Sequence, residues 1–373
     1  MDDNRFEVVV IGGGIAGAAI AAHLAEHVSV QLLEMESQPG YHSTGRSAAQ
    51  FSEFYGNDVI RGLSRASRDF FFSPPAGFCS ARLVIPRPVL MIATEAQRNS
   101  LDNIARLAAS GDPVERLSVA RALELCPILR PDRLIGALLE LGPADVDVHE
   151  LHQGYLKWFK ARGGSMSTDS RVLRLTRRAA EWLVETSNQQ VRAAIVVNAA
   201  GAWAGQVGKL AGAHEIGLQP LRRTAFMVDP PAGIQIGDWP MVMDVDENFY
   251  FKPDAGQLLV SPADETPSDP CDAQPDELDI AVAVDHLERA TTLEIKRVRR
   301  KWAGLRSFVH DRSPVVGYDP SQPGFFWLAA LGGYGIQTSP ALSALASALV
   351  LRRPIDAKNA CGVDPGAMSP ARL

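Results

Sequence analysis

Gly12, Gly14 and Gly17 follow an apolar run in the order GxGxxG, and Glu34 stands about 20 residues beyond, the spacing of a dinucleotide-binding turn. Gly12 permits a tight turn, Gly14 lets a pyrophosphate approach the backbone, and Gly17 allows close helix–strand packing. Free N–H groups in the first helical turn, around Ala16, attract the anion. An acid closing the second strand accepts from both ribose hydroxyls and disfavours a 2′-phosphate, which argues against NADP.

A strand, a helix and a second strand must hold these residues. Residues 6–11 read as a buried strand, 18–27 as an alanine-rich helix and 28–33 as the next strand, a βαβ start with a parallel sheet. Helical periodicity returns over 57–72, before Pro74 and Pro75, over 95–111, ending in glycine, and over 147–164. Residues 82–94 read as a strand whose prolines belong at an edge or bulge. Short strands run on to residue 201, and antiparallel strands are expected between 219 and 261. A polar loop over 264–277, a helix, strands around 301–306 and 324–330, and a closing helix from Gly335 complete the chain.

The 373 residues suit two domains at about 150 residues each. With 46% hydrophobic and 21% charged residues the composition is that of a soluble globular protein. A net charge of -6 argues against nucleic acid as a partner, because neutralising phosphates takes a basic surface. No run approaches the ~18 apolar residues of a membrane span, and the acidic N-terminus does not read as a signal peptide. Cys79, Cys126, Cys271 and Cys361 form no CxxC pair, so free thiols in a reducing compartment are expected. The expectation is a cytoplasmic protein, with attachment to the inner membrane face left open.

Three further segments separate FAD from NAD. Residues 40–56 gather Ser43, Thr44, Gly45, Arg46 and Ser47 ahead of Ala48 and Ala49. Their hydroxyls and N–H groups suit phosphates or a flavin ring, and the alanines leave room for an isoalloxazine. Gly45 lets the backbone approach; Arg46 either neutralises a phosphate or makes a structural ion pair. Residues 196–204, with Ala200, Gly201 and Trp203, form a late strand that in flavoproteins returns to the cofactor sheet. Gly332, Gly333, Tyr334 and Gly335 then turn into a long helix through Ile336 and Gln337, whose N-terminus would stabilise negative charge at the flavin.

The segments "QPGYHSTGRSAA", "LHQGYL", "VNAAGAW", "GLQPLRR", "FYFKPDAG", "WAGLRSFV" and "GGYGIQTS" occur in order along nearly the whole chain. On these the protein resembles the D-amino acid oxidase/dehydrogenase superfamily of FAD enzymes, and more narrowly the bacterial D-arginine dehydrogenases. The resemblance implies an α/β fold: a Rossmann-like FAD-binding domain (1–80, 145–217 and 304–373) interleaved with an α+β substrate domain on an antiparallel sheet (81–144 and 218–303). Arg306 would hold the substrate carboxylate bidentately, Tyr250 would donate to it, and Arg223 would lie beside it. Tyr55 would sit on the lid side, the Gly333 carbonyl would accept from the substrate amine, and Met35 and Val172 would join the cofactor contacts. The implied reaction passes a hydride from the Cα of a D-amino acid to non-covalent FAD, and the imino acid hydrolyses to a 2-oxo acid and ammonia. A quinone or electron-transfer protein is expected as acceptor ahead of oxygen.

Two positions depart from the D-arginine pattern: Gln50 replaces a histidine and Val89 a glutamate. An apolar Val89 facing the substrate would favour neutral or hydrophobic side chains over cationic ones, unless Glu53 swings in to replace the carboxylate. His149 and His152 share a helix face without an acidic partner, so no metal is expected. The other readings are a flavin oxidase of secondary amines or N-methyl amino acids, like sarcosine and glycine oxidases, and a dinucleotide-binding protein without turnover.

Overall fold

The computed structural model of the protein describes residues 4–108, 114–355 and 362–373. Strand Arg5–Ile11 lies between Val30–Leu33 and Gln190–Asn198, parallel to both. Strand Phe325–Ala329 adds to the far side of Gln190–Asn198, also parallel. A parallel sheet covered on both faces reads as continuous apolar sequence. Val8 and Val10 accordingly pack on helices Ile15–Leu24 and Gly335–Val350, while Val9 and Ile11 face helix Ala204–Ala211. The first helix is short and alanine-rich because it is buried against helices Val148–Ala161 and Gly335–Val350, where small side chains permit close approach.

A second sheet supplies the other wall of the molecule. Its longest pairing runs antiparallel between Gln219–Val228 and Val298–Phe308, placing Leu221 opposite Arg306 and Arg223 opposite Gly304. Strands Tyr250–Asp254 and Gln257–Ser261 continue it. A small third sheet joins Gln50–Phe51, Val84–Pro86 and Ala144–Val146.

Several expectations shift. The single strand over 82–94 is two, Val84–Pro86 and Val89–Ala93, in different sheets, because prolines at 86 and 88 interrupt backbone donation. Strand Met241–Asp244 is antiparallel to Tyr250–Asp254 as expected, yet parallel to Val89–Ala93. The loop at 264–277 carries a short strand, Thr266–Pro267, paired with Leu221 and Arg222. Strand Gly136–Glu140 and helix Val119–Leu125 had no strong signal, being short and weakly periodic. Gly111, expected to end the helix Arg98–Ala108, and Cys361 lie outside the described residues. Cys79, Cys126 and Cys271 are free thiols. Among the described residues no helix is long and apolar enough to cross a membrane.

His23 gives the fold an acid weakness. Its Nε2 is buried without a hydrogen-bond partner, and burial, helped by the charge of Arg162, lowers its pKa from 6.5 to about 4. The unfolded chain therefore takes up the proton first as pH falls. Stability present above pH 6.5 drains away down to about pH 4 and is then level, a loss of roughly 3 kcal/mol at ~1.4 per pKa unit. Denaturant titrations across that window should show His23→Leu flattening the slope; an unchanged slope would remove His23 as its source.

Candidate active site

One cleft runs between the two large sheets, and the glycine turn forms its floor. Gly12 has a φ of 105°, which favours glycine, and a Cβ there would stand 2.5 Å from the Ala199 carbonyl oxygen. A Cβ on Gly17 would stand 1.8 Å from the Gly12 carbonyl oxygen, so no other residue fits without moving backbone. Gly14 and Ala16 line the cleft where the helix N-terminus opens into it. Glu34, at the strand end, is buried and accepts from the N–H groups of Gly13 (2.7 Å) and Glu36 (2.9 Å). Burial raises its pKa, and those backbone donors work against the rise. Beneath the turn His152 Nε2 lies 2.9 Å from the Gly13 carbonyl, buried and with its pKa lowered by that burial. His152 thus buttresses the glycine turn, a role that only the fold reveals. Among the described residues no group of His, Cys, Asp and Glu is arranged to hold a metal.

The 40–56 segment crosses from one sheet to the other. The Thr44 hydroxyl accepts from the Ile15 N–H at 3.0 Å and so caps the first helix. Ser43 donates to the Leu305 carbonyl at 2.6 Å. Gly45 closes a turn, its N–H 2.8 Å from the Gly40 carbonyl, where a Cβ would lie 2.7 Å from that oxygen. Arg46 takes the structural alternative: it pairs with Asp272 and donates to the carbonyls of Ala273 and Ala303, each at 3.0 Å. Ser47 and Ala48 line the cleft; Ala49 packs instead into the core under the first sheet. Gln50 is also turned away, donating to the Arg87 carbonyl at 3.0 Å. Because hydrogen bonds to a charged group contribute ~1.5–3 kcal/mol, Arg46→Met should lower the melting temperature while the purified protein keeps its flavin. Loss of flavin at unchanged stability would instead assign Arg46 to a phosphate.

Met35 and Val172 line the cleft beyond Glu34, and Ala200, Gly201 and Trp203 form its opposite side. The Trp203 ring stands 4.5 Å from that of His42, whose Nε2 is 2.8 Å from a Glu36 carboxylate oxygen. Tyr41 and Gln206 also line this end, as does His42, whose place before the 43–47 cradle reads in the sequence as packing. Tyr41 and His42 lie within the segment "QPGYHSTGRSAA" itself, and Gln206 lies just beyond "VNAAGAW".

At the other end Arg223, Tyr250, Arg306, Gly332 and Gly333 line the cleft together. A Cβ on Gly333 would stand 2.7 Å from Arg306 Nη1, so a side chain there would displace the guanidinium. Burial opposes the charge on Arg306, but the hydroxyls of Tyr55, Tyr250 and Tyr334 outweigh it and the pKa rises. Arg223 is lowered by burial first and then by Arg306. Tyr55 does not line the cleft wall; its hydroxyl donates to Glu247 at 3.1 Å, and burial lifts its pKa despite Arg306. Gly335 and Ile336 reach the cleft, whereas Tyr334 packs on the rings of Tyr55 and Phe308 and Gln337 donates to Ser64.

Val89 corrects a sequence expectation. It does not line the cleft, because its strand is interior to the second sheet and its side chain is buried with Leu138, Met241 and Tyr250. Glu53 pairs with Arg68 at 3.4 Å rather than replacing a lost carboxylate. Substrate choice therefore cannot be read from Val89.

Residues 7–349 match the model of a family described as FAD dependent oxidoreductase, DAO. The chain belongs to this family. It is 26% identical to the glycine oxidase of Geobacillus kaustophilus over 367 residues, 94% of each chain. The crystal structure of that glycine oxidase superposes with a TM-score of 0.85 at 23% identity, covering 99% of both chains. Mitochondrial sarcosine dehydrogenase of Homo sapiens is 28% identical over 346 residues, 86% of this chain but only 37% of that protein. An L-α-glycerophosphate oxidase from Mycoplasma pneumoniae with FAD bound shares the fold at a TM-score of 0.82, with 18% identity over 93% of this chain and 95% of that one. The narrower resemblance to D-arginine dehydrogenases is corrected: the similar proteins include glycine oxidase and sarcosine dehydrogenase instead. The cofactor is FAD, and the glycine cradle that any Cβ would fill, together with Glu34, fits it.

Proposed function

We propose that the protein oxidises glycine and small N-substituted amino acids such as sarcosine, rather than D-amino acids with large side chains. One observation carries this: Arg306, a cation with no carboxylate partner among the described residues, shares the cleft with Tyr250 at the glycine-lined end. A planar guanidinium suits a carboxylate bidentately. The likeness to glycine oxidase over the whole chain, and to sarcosine dehydrogenase over part of that protein, supports the choice of amine. In this proposal residues 1–80, 145–217 and 304–373 form the cofactor domain and 81–144 and 218–303 the substrate domain.

Bound FAD supplies the two-electron acceptor. The chain's part is to fix the carboxylate on Arg306 and Tyr250 and to offer the Gly333 carbonyl to the amine. The acid and histidine lining the cleft are Glu34, at the strand end, and His42, which pairs with Glu36 beside Trp203. Glu247 and Glu265 near the Arg306 end are engaged by the Tyr55 hydroxyl and by Arg223 and Arg312. Among the described residues no free base is therefore offered to the ammonium, and in this proposal the substrate enters as the free amine. Accordingly kcat/KM should rise with pH along the ionisation of the substrate amine; a profile independent of that ionisation would require a base in the protein. Anaerobic bleaching of the yellow protein by glycine, sarcosine and D-alanine tests the substrate class. Bleaching by none of them overturns the proposal, and D-alanine ahead of sarcosine returns it to D-amino acids. Dye reduction without peroxide would support a non-oxygen acceptor.

A further inference from the structure

Arg223 and Arg306 are neighbours by register. Leu221 faces Arg306 across the strand pair and Arg223 faces Gly304, so both arginines project from one face as a diagonal pair. Diagonal cross-strand residues are within reach of long side chains. Gly304, opposite Arg223, carries no side chain to separate the two guanidinium groups.

Like charges so placed repel, and the protein compensates only partly. Arg223 Nη2 reaches Glu265 at 3.2 Å, but Glu265 also accepts from Arg312 at 2.7 and 3.0 Å, so one carboxylate serves two cations. Arg223 is only 9% exposed, and its Nε is buried without any hydrogen-bond partner. Glu247 stands at the rim, bonded to the Tyr55 hydroxyl. Around this end of the cleft the cations Arg223, Arg306 and Arg312 therefore share the carboxylates Glu247 and Glu265, while Asp264, whose charge also reaches Arg223, is engaged by Arg222 at 3.7 Å and by Thr224. A single α-carboxylate on Arg306 leaves Arg223 Nε unmet, whereas buried donors are ordinarily satisfied.

We propose that Arg223 forms a second anion subsite, so that the preferred substrates are short aminodicarboxylates, one carboxylate on Arg306 and the other on Arg223. This rests on the amine-oxidising proposal above and narrows it. With its amine free, as turnover requires, an aminodicarboxylate carries two negative charges, one for each of Arg306 and Arg223; glycine and sarcosine carry one.

The purified flavoprotein is assayed by dye reduction with glycine, sarcosine, iminodiacetate and D-aspartate. The better aminodicarboxylate should exceed sarcosine in kcat/KM by at least roughly 30-fold, as expected where a buried charge gains or loses its partner. Turnover of sarcosine or glycine without that lead overturns the second subsite and leaves the amine-oxidising proposal standing. Turnover of none of the four overturns that proposal, and ligand binding then decides the subsite. Malonate should perturb the flavin spectrum at concentrations about tenfold lower than acetate does, a difference of roughly 1.4 kcal/mol. Equal affinities would overturn the subsite. In Arg223→Gln the malonate advantage should vanish; persistence of the advantage there would place the second anion elsewhere and overturn the assignment to Arg223.

Discussion

Replacing Arg306 by methionine should lower kcat/KM on the best amino acid by roughly 30-fold to several-thousand-fold, the equivalent of the ~2–5 kcal/mol lost when a buried charge loses its partner. The effect belongs mainly to binding and orientation, because the guanidinium holds a carboxylate that does not react. KM should therefore rise, and kcat should fall as the amine loses its alignment. Arg306→Lys should recover only part of the loss, since an ammonium cannot make two parallel bonds to a carboxylate. Flavin content should stay at the wild-type ratio, because Arg306 sits at the Gly333 end of the cleft, away from Glu34 and the glycine turn. Steady-state kinetics beside a flavin-to-protein ratio checks all three. If activity on an amine lacking a carboxylate fell as far as activity on sarcosine, Arg306 would not be the carboxylate anchor.

That prediction depends on a juxtaposition only partly legible in the sequence. The glycine turn, its strand and its helix lie within one short segment, where GxGxxG, apolar runs and a strand-end acid agree. The fold class follows because that unit can close only onto a parallel sheet. The pairing of Arg223 with Arg306 instead depends on a register between distant strands, Leu221 opposite Arg306, which no local pattern encodes. Arg46 shows the same limit: its residue type suits a phosphate or an ion pair, and Asp272, which settles the geometry, lies 226 positions away. His152 reaches the Gly13 carbonyl across 139 positions. Val89 shows a different limit. Its motif suggested a pocket wall, but the strand pairs on both sides, with Met241 and with Glu140, and its side chain joins the core. Motifs locate chemistry along the chain; strand register decides which side chains meet.

The glycine turn should answer to single methyl groups in a graded way. A Cβ on Gly17 would stand 1.8 Å from the Gly12 carbonyl oxygen, and one on Gly12 would stand 2.5 Å from that of Ala199. Both neighbours are backbone atoms, so relief requires the turn or an adjoining segment to shift, with typical overpacking costs of ~1–3 kcal/mol. Gly12 adds the strain of a φ of 105°. Gly14 differs, because its Cβ would meet only the Thr44 hydroxyl, at 3.2 Å, and its backbone is extended with a φ of -71°. Gly17→Ala and Gly12→Ala should therefore yield protein with little flavin and a less stable apoprotein. Gly14→Ala should leave the apoprotein close to wild type in denaturant unfolding, yet bind FAD more weakly, because the methyl occupies the approach to the helix N-terminus. Flavin absorbance after gel filtration, with unfolding curves of the flavin-free forms, separates the two effects. Full flavin and unchanged stability in Gly17→Ala would mean that the helix does not pack on the turn as described. Full FAD affinity in Gly14→Ala would mean that the pyrophosphate lies elsewhere than over this turn.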